Sequence, residues 1–134
     1  MTIEAIDLRD LRRAALPKDA LAAPPGLCVA RADLTVPAFT LSKDALAERL
    51  RAVALAEPRT QLIGELSELD QLAFEQRSRV FGFPDTIRVQ IVPMSDGVSA
   101  ILCSRSRYGG WDIGANRKRL RRWLARLEAA TVDG

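Results

Sequence analysis

The 134 residues and 14.7 kDa of the chain suit one domain and leave no room for two of ordinary size. With 48% apolar and 28% charged residues it has the balance of a globular domain, and no apolar run approaches the ~20 residues of a membrane span. Histidine is absent and Cys28 and Cys103 are the two cysteines, which excludes His-dependent triads, histidine metal sites, four-thiolate zinc and a disulfide framework.

In residues 1–15, Ile3, Ile6, Leu11 and Ala15 recur at loosely helical spacing and predict a short amphipathic helix. The same stretch lacks the apolar segment of a signal peptide, so a cytoplasmic protein is expected. Between Pro17 and Pro37 stand four of the seven prolines, including Pro24-Pro25 before Gly26. Proline fixes φ and removes a donor, so this stretch predicts an ordered arm wrapping the surface, with Leu27, Cys28 and Val29 suited to burial. The expected organisation is therefore a short helix and proline-rich arm over 1–38, then a single α+β domain over 39–134.

Ser42 is placed to cap a helix running to about residue 56, with Asp44 in its first turn and Leu46, Leu50, Val53 and Ala54 on a buried stripe. Pro58 ends it. Four strands are then predicted, over 60–66, 72–83, 86–92 and 98–107. The third alternates Ile87, Val89 and Ile91 with Arg88 and Gln90, and Ser95-Asp96-Gly97 makes the turn into the fourth. Short connections predict an antiparallel four-stranded meander. The last element is a helix over 113–130, with Asp112 as N-cap and Asn116, Leu120, Trp123, Leu124 and Leu127 facing inward. Arg117, Lys118, Arg119, Arg121, Arg122 and Arg126 are assigned to its solvated faces. The fold class is α+β, with the helices packed on one face of the sheet.

Charge is uneven. Up to Gln76 there are 9 Lys and Arg against 12 Asp and Glu, and from Arg77 onward 11 against 5. A basic second half suits anionic partners. Within it, Arg77-Ser78-Arg79 precedes Phe81-Gly82-Phe83 and Asp85, and Arg105-Ser106-Arg107 precedes Tyr108, two glycines, Trp111 and Asp112. Flanking strands of a meander run the same way, so both segments should reach one end of the sheet, where the last helix begins. Arginines, hydroxyls and a helix N-terminus are the parts of an anion site. The alternative is a structural network in which Asp85 and Asp112 pair with Arg77, Arg79, Arg105 or Arg107.

Other chemistry has less support. The run 117–122 is rich in cations, but no helix-turn-helix or zinc-finger pattern accompanies it and Trp123 lies on the apolar stripe, so nucleic acid is not favoured. Neither cysteine has a histidine to activate it. No phosphate loop ending in Gly-Lys-Ser/Thr is present, and no cofactor or metal is expected.

The string Ser104-Arg-Ser-Arg-Tyr-Gly-Gly-Trp-Asp-Ile-Gly-Ala-Asn-Arg-Lys-Arg119 resembles the closing signature of the bacterial family known as domain of unknown function 1499. The resemblance extends through Arg77-Ser-Arg, Phe83-Pro-Asp-Thr-Ile87 and Asp19-Ala-Leu-Ala-Ala-Pro-Pro-Gly-Leu-Cys28, and so covers nearly the whole chain. Gly110-Trp111 departs from it, and the envelope leader of some members is not seen at the N-terminus. The resemblance implies no reaction, cofactor or partner; it implies that the Arg/Asp/Asn string acts as a unit. The combined expectation is a non-catalytic domain that binds a small anionic or polar ligand. Its site residues are Arg77, Arg79, Asp85, Arg105, Arg107, Asp112, Asn116 and Arg117. An enzyme using Asp112 or Asp85 as base is the second reading, and an interaction protein using the basic last helix is the third.

Overall fold

The computed structural model describes residues 3–13, 18–108 and 114–132. Its elements in chain order are β1 (Asp19–Ala23), β2 (Leu34–Thr35), α1 (Lys43–Leu55), β3 (Thr60–Leu66), β4 (Gln71–Arg77), β5 (Pro84–Met94), β6 (Gly97–Ser106) and α2 (Ala115–Val132). The class is α+β, but the expected four-stranded antiparallel sheet is corrected to six strands in the order β2-β1-β6-β5-β4-β3. β1 and β2 pair in parallel and all other neighbours are antiparallel, so the sheet is mixed.

The two additional strands come from the stretch expected as a surface arm. Asp19–Ala23 is free of proline and pairs with β6 through Ala20 with Ser104 and Leu21 with Cys103. All five of its residues are buried. Its small side chains lack β-branching and show no alternation, so periodicity cannot reveal a strand that is covered on both faces. Asp33 fastens the return, accepting from Leu21 N at 3.0 Å while its own N–H donates to Leu21 O at 2.7 Å.

Among the described residues 3–13, the expected helix is replaced by a 3-10 turn at Leu8–Asp10. So short a segment does not sustain a helix alone, and sheet side chains capture its backbone instead: Gln90 Oε1 accepts from Leu8 N at 2.8 Å, and Gln71 bonds Ile6.

Helix α1 forms as its sequence dictates. Ser42 Oγ accepts from Ala45 N at 3.1 Å, and Leu46, Leu50, Val53 and Ala54 are buried. Ser42→Ala should lower stability by about 1 kcal/mol, read as a shift in urea midpoint with unchanged slope. β4 stops at Arg77 rather than at residue 83, because the chain turns back over 78–83, where Gly82 has φ +65° and donates to Ser78 O. Pro84 opens β5 instead of breaking the chain; at the first position of a strand its missing N–H is harmless and its carbonyl accepts from Arg107 N. Gly97, at φ +137°, is required by close approach: a Cβ there would lie 2.2 Å from Phe39 O, where residue 39 bridges to Val98.

Both helices pack on one face of the sheet. The core there joins Leu46, Leu50 and Val53 of α1 to Phe74, Ile87, Val89, Ile91 and Leu102 of the sheet and to Leu120, Trp123, Leu124 and Leu127 of α2. Trp123 meets Phe74 edge-on at 5.8 Å. A smaller core on the opposite face, called the outer face below, packs Leu8 and Leu11 against Leu21, Val92, Ile101 and Cys103. The Asp112 cap expected for α2 lies outside the described residues.

Candidate functional site

The register brings the two arginine segments to one end of the sheet, since Gln76 and Ser106 both pair with Asp85. The pleat then divides the candidate residues between two faces. Arg77, Arg105 and Arg107 project from the outer face, beside Glu75, Thr86 and Arg88, whereas Asp85 and Asn116 lie on the helix face with Gln76, Ser104 and Ser106. Arg79 is exposed in the β4–β5 turn and Arg117 is exposed on α2. Asp112 lies outside the described residues.

On the helix face the polar groups satisfy one another. Asn116 accepts from Ser104 Oγ at 2.6 Å and donates to Ser106 Oγ at 2.9 Å and to Lys18 O at 3.1 Å. Arg119, assigned from sequence to a solvated face, is buried instead. It donates to Ser104 Oγ and Asn116 Oδ1 at 2.9 and 2.8 Å and to Gln76 Oε1 at 2.5 Å, and pairs with Asp85 at 2.9 Å. The partner of Asp85 is therefore Arg119, not an arginine of either Arg-Ser-Arg segment. Gln76 reaches on to Glu57 at 3.3 Å, and Glu57 receives Arg122 at 2.5 Å, Arg126 at 2.6 Å and the Trp123 indole at 3.1 Å. Burial raises the Glu57 pKa, but bonds from Arg122, Trp123 and Gln76 outweigh it and hold the carboxyl at about 2, below its ordinary 4.5. Sequence reading missed Glu57, Gln76 and Arg119. Only Arg119 carried a signal, standing three residues after Asn116 on the same helical stripe.

The outer face is different. A cavity of about 200 Å³ is lined by Ile6, Leu11, Thr86, Arg88, Cys103, Arg105 and Arg107. Arg105 bonds Asp19 Oδ2 at 2.9 Å and Arg12 O at 3.1 Å, yet its buried Nε has no partner. Arg88 donates to Glu4 O and Gln71 Oε1, both at 2.8 Å, and forms no ion pair among the described residues. Burial lowers its pKa, and the Arg105 charge lowers it further. Arg107 shares Glu75 with Arg77, and the bond from Arg107 pulls the Glu75 carboxyl down. Burial pushes the Cys103 thiol up to about 11, so it is protonated at neutral pH and serves as apolar wall. A second, wider cavity of about 630 Å³ shares Ile6, Thr86, Arg88 and Arg107 with the first. Arg77 and Arg79 instead line an open groove of about 730 Å³ with Arg59 and Ser78. Among the described residues, no three acidic or cysteine side chains converge as a metal site would need, and no helix is long and apolar enough to cross a membrane.

Fold and site together define a small α+β domain whose helix face is closed by ion pairs and whose outer face holds an arginine-lined cavity. The chain belongs to the family described as protein of unknown function DUF1499, whose model matches residues 18–127. No curated protein matches it. Among solved structures, the crystal structure of protein CV1439 from Chromobacterium violaceum is similar over 86% of this chain and 98% of its own, with 9% identity and a TM-score of 0.46. That likeness carries no functional argument.

Proposed function

We propose that the protein binds a small anion in the outer-face cavity, with Arg88, Arg105 and Arg107 supplying charge and Thr86 a hydroxyl. The observation that carries this reading is the buried Nε of Arg105, without a hydrogen-bond partner among the described residues, on an arginine that lines the cavity together with Arg88, which has no ion pair among the described residues. An orphaned buried donor is costly, and an anion oxygen removes that cost while balancing Arg88. Arg77 and Arg79 border the groove beyond Glu75 and belong to the rim. Asn116 and Asp85 support the sheet end from the helix face rather than touching the ligand. A volume of about 200 Å³ suits a single phosphate, sulfate or short carboxylate.

At tenfold excess over Kd, such an anion should stabilise the fold by about 1.4 kcal/mol, or roughly 4 °C in melting temperature. The measurement is a melting curve over a phosphate and sulfate series at constant ionic strength. Arg88→Ala should abolish the saturable increment whatever it does to the starting temperature. An increment equal in wild type and variant would assign the effect to general salt stabilisation and sink the proposal.

A further inference from the structure

Seven large apolar side chains are exposed among the described residues, and four of them, Val80, Phe81, Phe83 and Tyr108, gather where β4 turns into β5 and β6 leaves the sheet. Val80 and Phe81 are 80% and 75% exposed. Phe81 stacks on Phe83 with centroids 5.4 Å apart, and Phe83 leans on Tyr108 at 6.2 Å. Collected apolar area in water on a small domain marks a contact surface rather than a folding requirement.

The turn that displays these rings is built to hold its shape. Ser78 N donates to Phe83 O at 2.9 Å, Ser78 Oγ accepts from Phe83 N at 2.9 Å, and Arg77 donates to Gly82 O at 2.8 Å. Arginines flank it: Arg77 and Arg107 share Glu75, while Arg59 and Arg79 form no ion pair among the described residues. A protruding aromatic tip with a cationic collar has a specific chemical complement. Rings settle at the boundary between headgroups and acyl chains, and guanidinium groups beside them meet lipid phosphates.

We propose that the 78–83 turn, with Tyr108, is a peripheral docking site for an anionic lipid surface. Its aromatic side chains do not line the anion cavity, although Arg107 borders both. A protein partner fits less well. A stable protein interface takes roughly 20–30 residues a side, whereas among the described residues this apolar patch is one short turn and a neighbouring tyrosine. The positive collar also selects anionic over neutral lipid.

The test is co-sedimentation with sonicated vesicles of equimolar phosphatidylglycerol and phosphatidylcholine, beside vesicles of phosphatidylcholine alone. Wild-type protein should pellet with the first and not the second, and added salt should weaken it. Phe81→Ser should reduce vesicle affinity roughly tenfold through lost apolar insertion, and Arg79→Ala roughly fivefold through lost charge. Both side chains are exposed, so both variants should melt with the wild type. Leu55→Ser, an exposed apolar residue of α1, should leave binding unchanged. Wild-type protein remaining in the supernatant would overturn the proposal. So would equal pelleting of Phe81→Ser and wild type, which would reduce the contact to charge alone. A dimer in solution that Phe81→Ser dissociates, without vesicle binding, would also overturn it and assign the patch to a second copy.

Discussion

Replacing Glu57 with alanine is expected to cost about 3–5 kcal/mol, a large share of the total stability of a domain this size. The carboxylate is the common acceptor for Arg122, Arg126, Trp123 and Gln76, and its side chain is 2% exposed. Its removal leaves the buried Trp123 indole without its acceptor and the Gln76 amide with Pro58 O alone, so the loss exceeds that of a surface ion pair. Glu57→Gln retains an acceptor oxygen and should lose less. The pH dependence follows from the depressed pKa. Because the folded value of about 2 lies below the ordinary 4.5, the contribution is complete above about pH 5 and fades as pH falls toward 2, by about 3 kcal/mol in all. Urea midpoints of wild type should therefore fall with acid, and those of Glu57→Gln should fall less steeply. Parallel curves would show that folding does not lower the Glu57 pKa.

Arg119→Ala should be comparably damaging, at about 3–5 kcal/mol. It is 8% exposed, and its loss strands Asp85 while removing donors from Gln76, Ser104 and Asn116. Arg119→Met refills the volume but leaves Asp85 charged and unpaired. Combining Arg119→Met with Asp85→Asn should recover part of the loss, because a neutral amide tolerates the site better than a lone carboxylate. The double-mutant cycle by urea unfolding measures that coupling. Additive losses would mean that Asp85 and Arg119 do not act as a pair.

These two hubs mark where local sequence reading stops. The strands of 86–92 and 98–107, helix α1 with its Ser42 cap, and the inward residues Leu120, Trp123, Leu124 and Leu127 of α2 were legible, because period and capping act within a few residues of chain. For the candidate site, the convergence of the two Arg-Ser-Arg segments at one sheet end was legible from the order of the strands. Their distribution over opposite faces was not, since a shift of one residue exchanges the faces and turn lengths were not known. Glu57 stood just past α1 before a proline, with nothing nearby in sequence to name Arg122 and Arg126 as partners.

By itself, then, the amino-acid sequence determined the α+β class, the amphipathic faces of the helices and the alternation of β5, all consequences of periodic burial within one element. It also placed the basic residues in the second half of the chain. Only the tertiary structure decided that Asp19–Ala23 and Leu34–Thr35 join the sheet, because β1 pairs through its backbone with β6, some 80 residues away, and β2 can join only by pairing with β1. It likewise decided which arginines are structural and which are available. Arg119 is bound by Asp85, Gln76, Ser104 and Asn116, while Arg88 and Arg105 line a cavity. In the sequence these are equivalent cations, and they differ only in the counter-charges that folding brings within a few ångströms.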